Sequence, residues 1–252
     1  MTLFGLPSSS IMVNVARGNM ESGMLEGQTA VVIGGTSGIG LAAAIELCRA
    51  GTQVWLIGRT PDNATAAASR IGDRASGHAV DARDAMKLQA FFTRVGEFDH
   101  LIVALGGGSA IGPFKDLNEA QMRAGFDNKF WPYLNAIHMG VGQIRGSGSI
   151  TLITGTAGRR AIKGTSGLAA VNGALQAIIG PLALEFAPIR VNAVSPGLIA
   201  TSLLGSYARG CSASDVRAFS CERSGRPRRC TERCRACHPV PCWQWVHDRC
   251  NS

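Results

Sequence analysis

Short apolar segments alternate along this chain with helical ones, and the first runs through a glycine turn into an alanine-rich helix. Together these features predict the α/β class, with one doubly wound parallel sheet in a single domain. Short β-branched runs suit strands buried on both faces, and every crossover between parallel strands needs a helix's length of chain. With 252 residues, 46% of them hydrophobic, the chain can bury one sizeable core.

The first unit is the most informative. Val31-Val32-Ile33 leads into Gly34-Gly35-Thr36-Ser37-Gly38-Ile39-Gly40 and on into a helix from Leu41 to Ala50. Glycines at 34, 38 and 40 let the backbone turn sharply and approach a pyrophosphate. The helix that begins there offers unpaired N–H groups and the positive end of its dipole. Gly34, Thr36, Ser37, Gly38, Ile39 and Gly40 are therefore read as a dinucleotide-binding loop of a Rossmann-type sheet, the plainer alternative being a turn with no ligand. The glycine spacing differs from the general G-x-G-x-x-G fingerprint.

The second strand, Gln53 to Ile57, closes at Gly58-Arg59-Thr60-Pro61. In dinucleotide folds an acid at this point receives the ribose hydroxyls, whereas an arginine accommodates a 2′-phosphate. Gly58 followed by Arg59 favours NADP(H) over NAD(H), unless Arg59 is only a solvated surface cation. A polar helix from Asp62 to Ile71 precedes a third strand, Gly77 to Val80, ending at Asp81, which is placed to cap the next helix, Asp84 to Val95. The fourth strand, Phe98 to Ala104, runs into Leu105-Gly106-Gly107-Gly108. A helical stretch from Leu117 to Met139 should kink at Pro132. Ser149 to Ile153 is the fifth strand, Leu168 to Phe186 a helix, and Ile189 to Val194 the sixth strand, which meets Ser195-Pro196-Gly197.

The glycine loop, Asp81 and the stretch Ala187-Pro188-Ile189-Arg190-Val191-Asn192-Ala193-Val194-Ser195-Pro196-Gly197-Leu198-Ile199-Ala200-Thr201 resemble the short-chain dehydrogenase/reductase family over roughly residues 25 to 203. The resemblance implies an oxidoreductase that exchanges hydride between a nicotinamide cofactor and a carbonyl or alcohol. It places Asp81 beside the adenine, Gly106 close to the cofactor in a turn that is usually asparagine-rich, and Ile199 and Thr201 toward the nicotinamide. Family chemistry uses a tyrosine acid/base, a lysine four residues later that lowers its pKa, a serine thirteen residues before the tyrosine, and an upstream asparagine. Those positions hold Leu168, Asn172, Gly155 and Lys129, so all four are substituted and the catalytic residues expected from the sequence are none. The tyrosines, Tyr133 and Tyr207, both lack a lysine at the fourth following position. Thr154 or Thr156 could orient a carbonyl and Lys129 could act as a displaced acid, or each could be structural. A catalytically inactive nucleotide-binding or sensing protein is the alternative function.

Outside the 24–205 domain, residues 1–23 read as a loose extension. The tail, 206–252, holds seven of the eight cysteines and most of the net charge of +8, leaving a near-neutral body that argues against nucleic acid. Cys234-Arg235-Ala236-Cys237-His238 matches a haem-attachment pattern and His247 a zinc ligand, both read as coincidence, so no metal is expected. Read one nucleotide later, the codons from Trp243 to Val246 force Gly, then Asn or Ser, then Gly. Their neighbours permit the family's closing strand, so the tail reads as the product of a frameshift between about Thr201 and Phe219, which the gene sequence would test. The final helix and strand of the fold are then missing. Without a run of 18 apolar residues no membrane span is expected. Cys48 fits a reduced, cytoplasmic protein. The resemblance also implies a homo-oligomer formed through the helices at Leu117–Met139 and Leu168–Phe186.

Overall fold

The computed structural model describes residues 25–106 and 108–197. The extension read at 1–23, the positions Ile199 and Thr201, and the tail read at 206–252 lie outside the described residues. Strands β1 (Thr29–Ile33), β2 (Gln53–Gly58), β3 (Ala75–Ala79), β4 (Phe98–Val103), β5 (Ile144–Ile153) and β6 (Arg190–Val194) form one parallel sheet in the order β3-β2-β1-β4-β5-β6. The chain moves outward from β1 in one direction, then returns to β4 and moves outward in the other. The reversal leaves a crevice beyond the carboxyl ends of β1 and β4.

The period of two along each strand sends side chains to both faces. Ala30 and Val32 of β1 pack with Val54, Leu56, Leu41, Ala44 and Ala67 under helices α1 (Gly38–Arg49) and α2 (Pro61–Ile71). Val31 and Ile33 point the other way, into a core with Leu101, Ile150, Leu152 and the helices α3 (Ala85–Val95), α5 (Trp131–Gly140) and α6 (Ser166–Ala177). A short α4 (Glu119–Gly125) precedes α5, and α7 (Ile179–Glu185) follows α6.

Several boundaries differ from the sequence expectation. β3 begins at Ala75 because pairing with β2 sets its register, Val54 opposite Ala75 and Gly58 opposite Ala79. Gly77 lies directly beneath α2, where a Cβ would overlap the Ala64 carbonyl. β5 begins at Ile144, and its register against β4 shifts between Phe98 and His100. Gly148 permits this, since a Cβ there would overlap the Asp99 carbonyl.

The expected kink at Pro132 takes the form of a widened turn. Phe126–Phe130 is π-helical, and the Trp131 N–H donates to the Phe126 carbonyl five residues back. Proline has no N–H, and its ring would press on the carbonyl of Asn128 four residues earlier; widening the preceding turn relieves that clash. The expected helix from Leu168 to Phe186 is α6 plus α7, divided at Ile178. By length and composition alone, Ser166–Glu185 could cross a membrane. Here it is an outer layer of the sheet, with Ile178, Ile179, Leu182 and Phe186 packed on the core.

Candidate functional site

The glycine turn closes over the crevice. Gly34 and Gly35 donate their N–H groups to the Ile57 carbonyl at 2.9 and 3.1 Å, and Ala104 donates to Ile33 at 2.8 Å, so the ends of β1, β2 and β4 are laced together. Gly34 has φ +80, and a Cβ on it would stand 2.6 Å from the Ala104 carbonyl oxygen. Gly38, at φ +54, opens α1, and a Cβ on Gly40 would overlap the Gly34 carbonyl. Ser37 caps α1 in an extended conformation, and its side chain makes no capping bond. The first-turn N–H groups therefore face the crevice without a side-chain acceptor, as an anion site requires. All six loop residues expected from the sequence converge here.

Beside the turn is a cavity of ≈ 400 Å³ lined by Thr36, Ser37, Arg59, Thr60 and Asn63, with no carboxylate among them. Gly58 ends β2 just before Arg59, and a Cβ there would overlap the Thr36 methyl, so an acid at this position would require Thr36 to move. Asp81 is not the cap of α3: Asp84 is, its carboxylate accepting the Lys87 N–H at 3.0 Å. Asp81 instead accepts from the Arg83 N–H at 3.0 Å and from the guanidinium Nε and Nη2 at 3.1 and 2.6 Å. Arg83, with a smaller contribution from Arg59, holds the Asp81 carboxyl below its usual range. Gly106 is exposed just beyond β4.

The four positions of the expected catalytic set meet, with exchanged chemistry. Lys129, on the π turn, is 6% exposed and donates to Oδ1 of Asn172 at 2.9 Å. Asn172 is buried on α6 and donates its Nδ2 to the Leu168 carbonyl at 2.8 Å. A Cβ on Gly155 would lie 3.3 Å from that same Oδ1, so glycine leaves the amide room. Burial pulls the Lys129 ammonium down to about 8. Tyr133 is fully buried, and its hydroxyl donates to the carbonyls of Ile153, at 2.5 Å, and Leu105, at 3.2 Å. Burial pushes its phenol far above the ordinary value, which removes it as an acid or base.

Sequence reasoning missed a polar triangle at the ends of β5 and β6. Thr154 Oγ1 and Ser195 Oγ are 2.7 Å apart, and Gln176 Nε2 donates to them at 3.2 and 3.0 Å and to the Gly155 carbonyl at 3.1 Å. The available signal was Gln176 itself, one helical turn after Asn172 on the same face. Thr156 opens a short 3₁₀ turn capped by Gly155, and its carbonyl accepts from the backbone N–H groups of Arg159 and Arg160. Among the described residues no group of three His, Cys, Asp or Glu side chains could hold a metal.

A parallel sheet in this strand order, with a glycine turn feeding a helix N-terminus at its reversal point, defines a Rossmann-type dinucleotide-binding protein. The short chain dehydrogenase profile matches residues 28–211, and the chain belongs to that family. It is 31% identical to the short-chain dehydrogenase/reductase ATR9 of Stachybotrys chlorohalonatus over 199 residues, covering 72% of this chain and 77% of that protein. A crystal structure of a small-chain dehydrogenase in complex with NADPH is 35% identical with a TM-score of 0.61, covering 76% of this chain and 78% of that one. A further short chain dehydrogenase/reductase family protein is 30% identical with a TM-score of 0.69, over 75% and 82% of the two chains.

Proposed function

We propose that this protein is an oxidoreductase that transfers hydride between NADP(H) and a carbonyl or alcohol substrate. The observation that carries the cofactor preference is the cavity beside the glycine turn, where Arg59 stands among neutral polar side chains with no carboxylate. A dianionic 2′-phosphate gains charge-assisted hydrogen bonds there, whereas ribose hydroxyls find no acid to accept from them. The related dehydrogenase solved with NADPH supports the same reading. NADP(H) is the dinucleotide partner; the cytoplasm, where Cys48 would stay a free thiol, is the proposed compartment.

Arg59→Ala tests this. A hydrogen bond to a charged group contributes about 1.5–3 kcal/mol, so the variant should bind NADPH roughly 10- to 100-fold more weakly and NADH unchanged, by fluorescence titration. Equal loss for both cofactors, or no loss, would remove Arg59 as the phosphate reader.

A further inference from the structure

Reducing a carbonyl needs two deliveries: a hydride to carbon and a proton to oxygen. Bound NADPH supplies the hydride, and the proton must come from the protein or from water. Among the described residues, the buried titratable side chains at the carboxyl ends of β4 and β5 are Lys129 and Tyr133. The Tyr133 hydroxyl is committed to the carbonyls of Leu105 and Ile153. Thr154, Ser195 and Gln176 are bonded to one another, and Asp81 is an anion paired with Arg83.

Lys129 is placed differently. Its Nζ lies 5.7 Å from the centre of the Tyr133 ring, one helical turn earlier on the same face. Tyr133 bonds the carbonyl of Ile153, the last residue of β5, and Asn172, which holds Lys129, lies against Gly155 two residues beyond that strand end. The π turn that Pro132 imposes sets this placement, and Asn172 fixes the ammonium from α6. Gly155 leaves the Asn172 amide uncrowded at the end of β5. Among the described residues the Lys129 ammonium meets the Asn172 amide and the Tyr133 ring, both neutral, and burial rather than a charged neighbour shifts its ionisation. Holding an ammonium in such a place is costly, and Lys129→Gln would keep a donor for Asn172 without a charge.

We propose that Lys129 is the proton donor for carbonyl reduction and that Asn172 positions it. The proposal rests on the oxidoreductase reading above. As the carbonyl π bond breaks, its carbon would take the hydride released by the nicotinamide C–H bond of NADPH, leaving NADP⁺, and its oxygen would take a proton as an Nζ–H bond of the Lys129 ammonium breaks. Lys129 is left as a neutral amine, which takes a proton back from water. Because burial brings its ionisation near neutrality, the amine and ammonium exchange readily at working pH.

The test uses the full chain, NADPH and a panel of aldehydes, α-diketones and quinones, comparing wild type with Lys129→Gln. In wild type, kcat should fall tenfold per pH unit above about 8. Lys129→Gln should lose at least 100-fold in kcat and this alkaline limb, with NADPH Kd unchanged. Independently of turnover, the ¹³Cε resonance missing from Lys129→Gln should titrate near 8 in the wild-type protein. Unchanged kcat and pH profile in the variant overturns the proton donor and leaves the oxidoreductase intact. So does a Lys129 resonance that titrates with surface lysines above 10, or a variant that no longer binds NADPH. Wild type that binds NADPH and reduces no carbonyl overturns the oxidoreductase reading and the donor with it.

Discussion

A lysine 6% exposed, with one amide acceptor and an aromatic face for company, destabilises the folded chain whenever it is charged. Its folded pKa, about 8, lies below that of the unfolded chain, about 10.4. Between those values the unfolded state binds more protons, so stability rises with pH across that window, and the full penalty applies below it. A shift of this size corresponds to roughly 3 kcal/mol. Lys129→Met removes the charge but leaves Asn172 Oδ1 without its donor, which costs about 1 kcal/mol. The variant should therefore be more stable at pH 7 by about 2 kcal/mol and should lose the rise between pH 8 and 10, measured by urea unfolding at both ends. A variant less stable than wild type at pH 7 would make Lys129 a structural clamp. The trade of stability for a poised proton is what active sites show.

Among the elements, the β1–α1 turn is the least tolerant. Gly34 combines a positive φ with a carbonyl in the path of any Cβ. Gly34→Ala should cost about 1–3 kcal/mol of backbone strain and weaken NADPH binding at least tenfold, read by thermal shift and titration. Unchanged binding would mean the turn does not hold the phosphates. This element was fully legible in the sequence, because a β-branched run followed by glycines at 34, 38 and 40 specifies a tight strand-to-helix turn through local chemistry alone. β3 was legible only to within two residues: Ala75-Ser76-Gly77 carries little apolar signal, and its register comes from β2. The early start of β5 was hidden by Gly146 and Gly148, which read as a loop until Asp99 on the neighbouring strand is seen against Gly148. Lys129 and Asn172 were both singled out, yet their bond was not visible. They are 43 residues apart, and the contact depends on a π turn that a proline only hints at. The Thr154, Ser195 and Gln176 triangle likewise needs three elements to be brought together before it exists.

At the scale of the whole described unit, the crevice draws on both halves of the sheet. Arg59 and Asp81 follow the strands on one side of the reversal, while Gly106, Gly155 and Ser195 follow those on the other. Cofactor binding should therefore stabilise the sheet as one cooperative body. A ligand at 100 times its Kd adds about 2.7 kcal/mol to folding stability. At about 2–4 °C per kcal/mol for a unit of this size, saturating NADPH should raise Tm by roughly 5–11 °C in a single transition. Without the contact between Arg59 and the 2′-phosphate, worth about 2 kcal/mol, NADH at the same concentration would sit only a few-fold above its Kd and add under about 1 kcal/mol, or roughly 2–4 °C. In Arg59→Ala the NADPH shift should fall to the NADH value while the NADH shift stays put. Equal wild-type shifts for both cofactors would remove the NADP(H) preference and leave the dinucleotide crevice standing. Two separate transitions would show that the halves flanking β1 and β4 unfold independently, and that the crevice does not couple them.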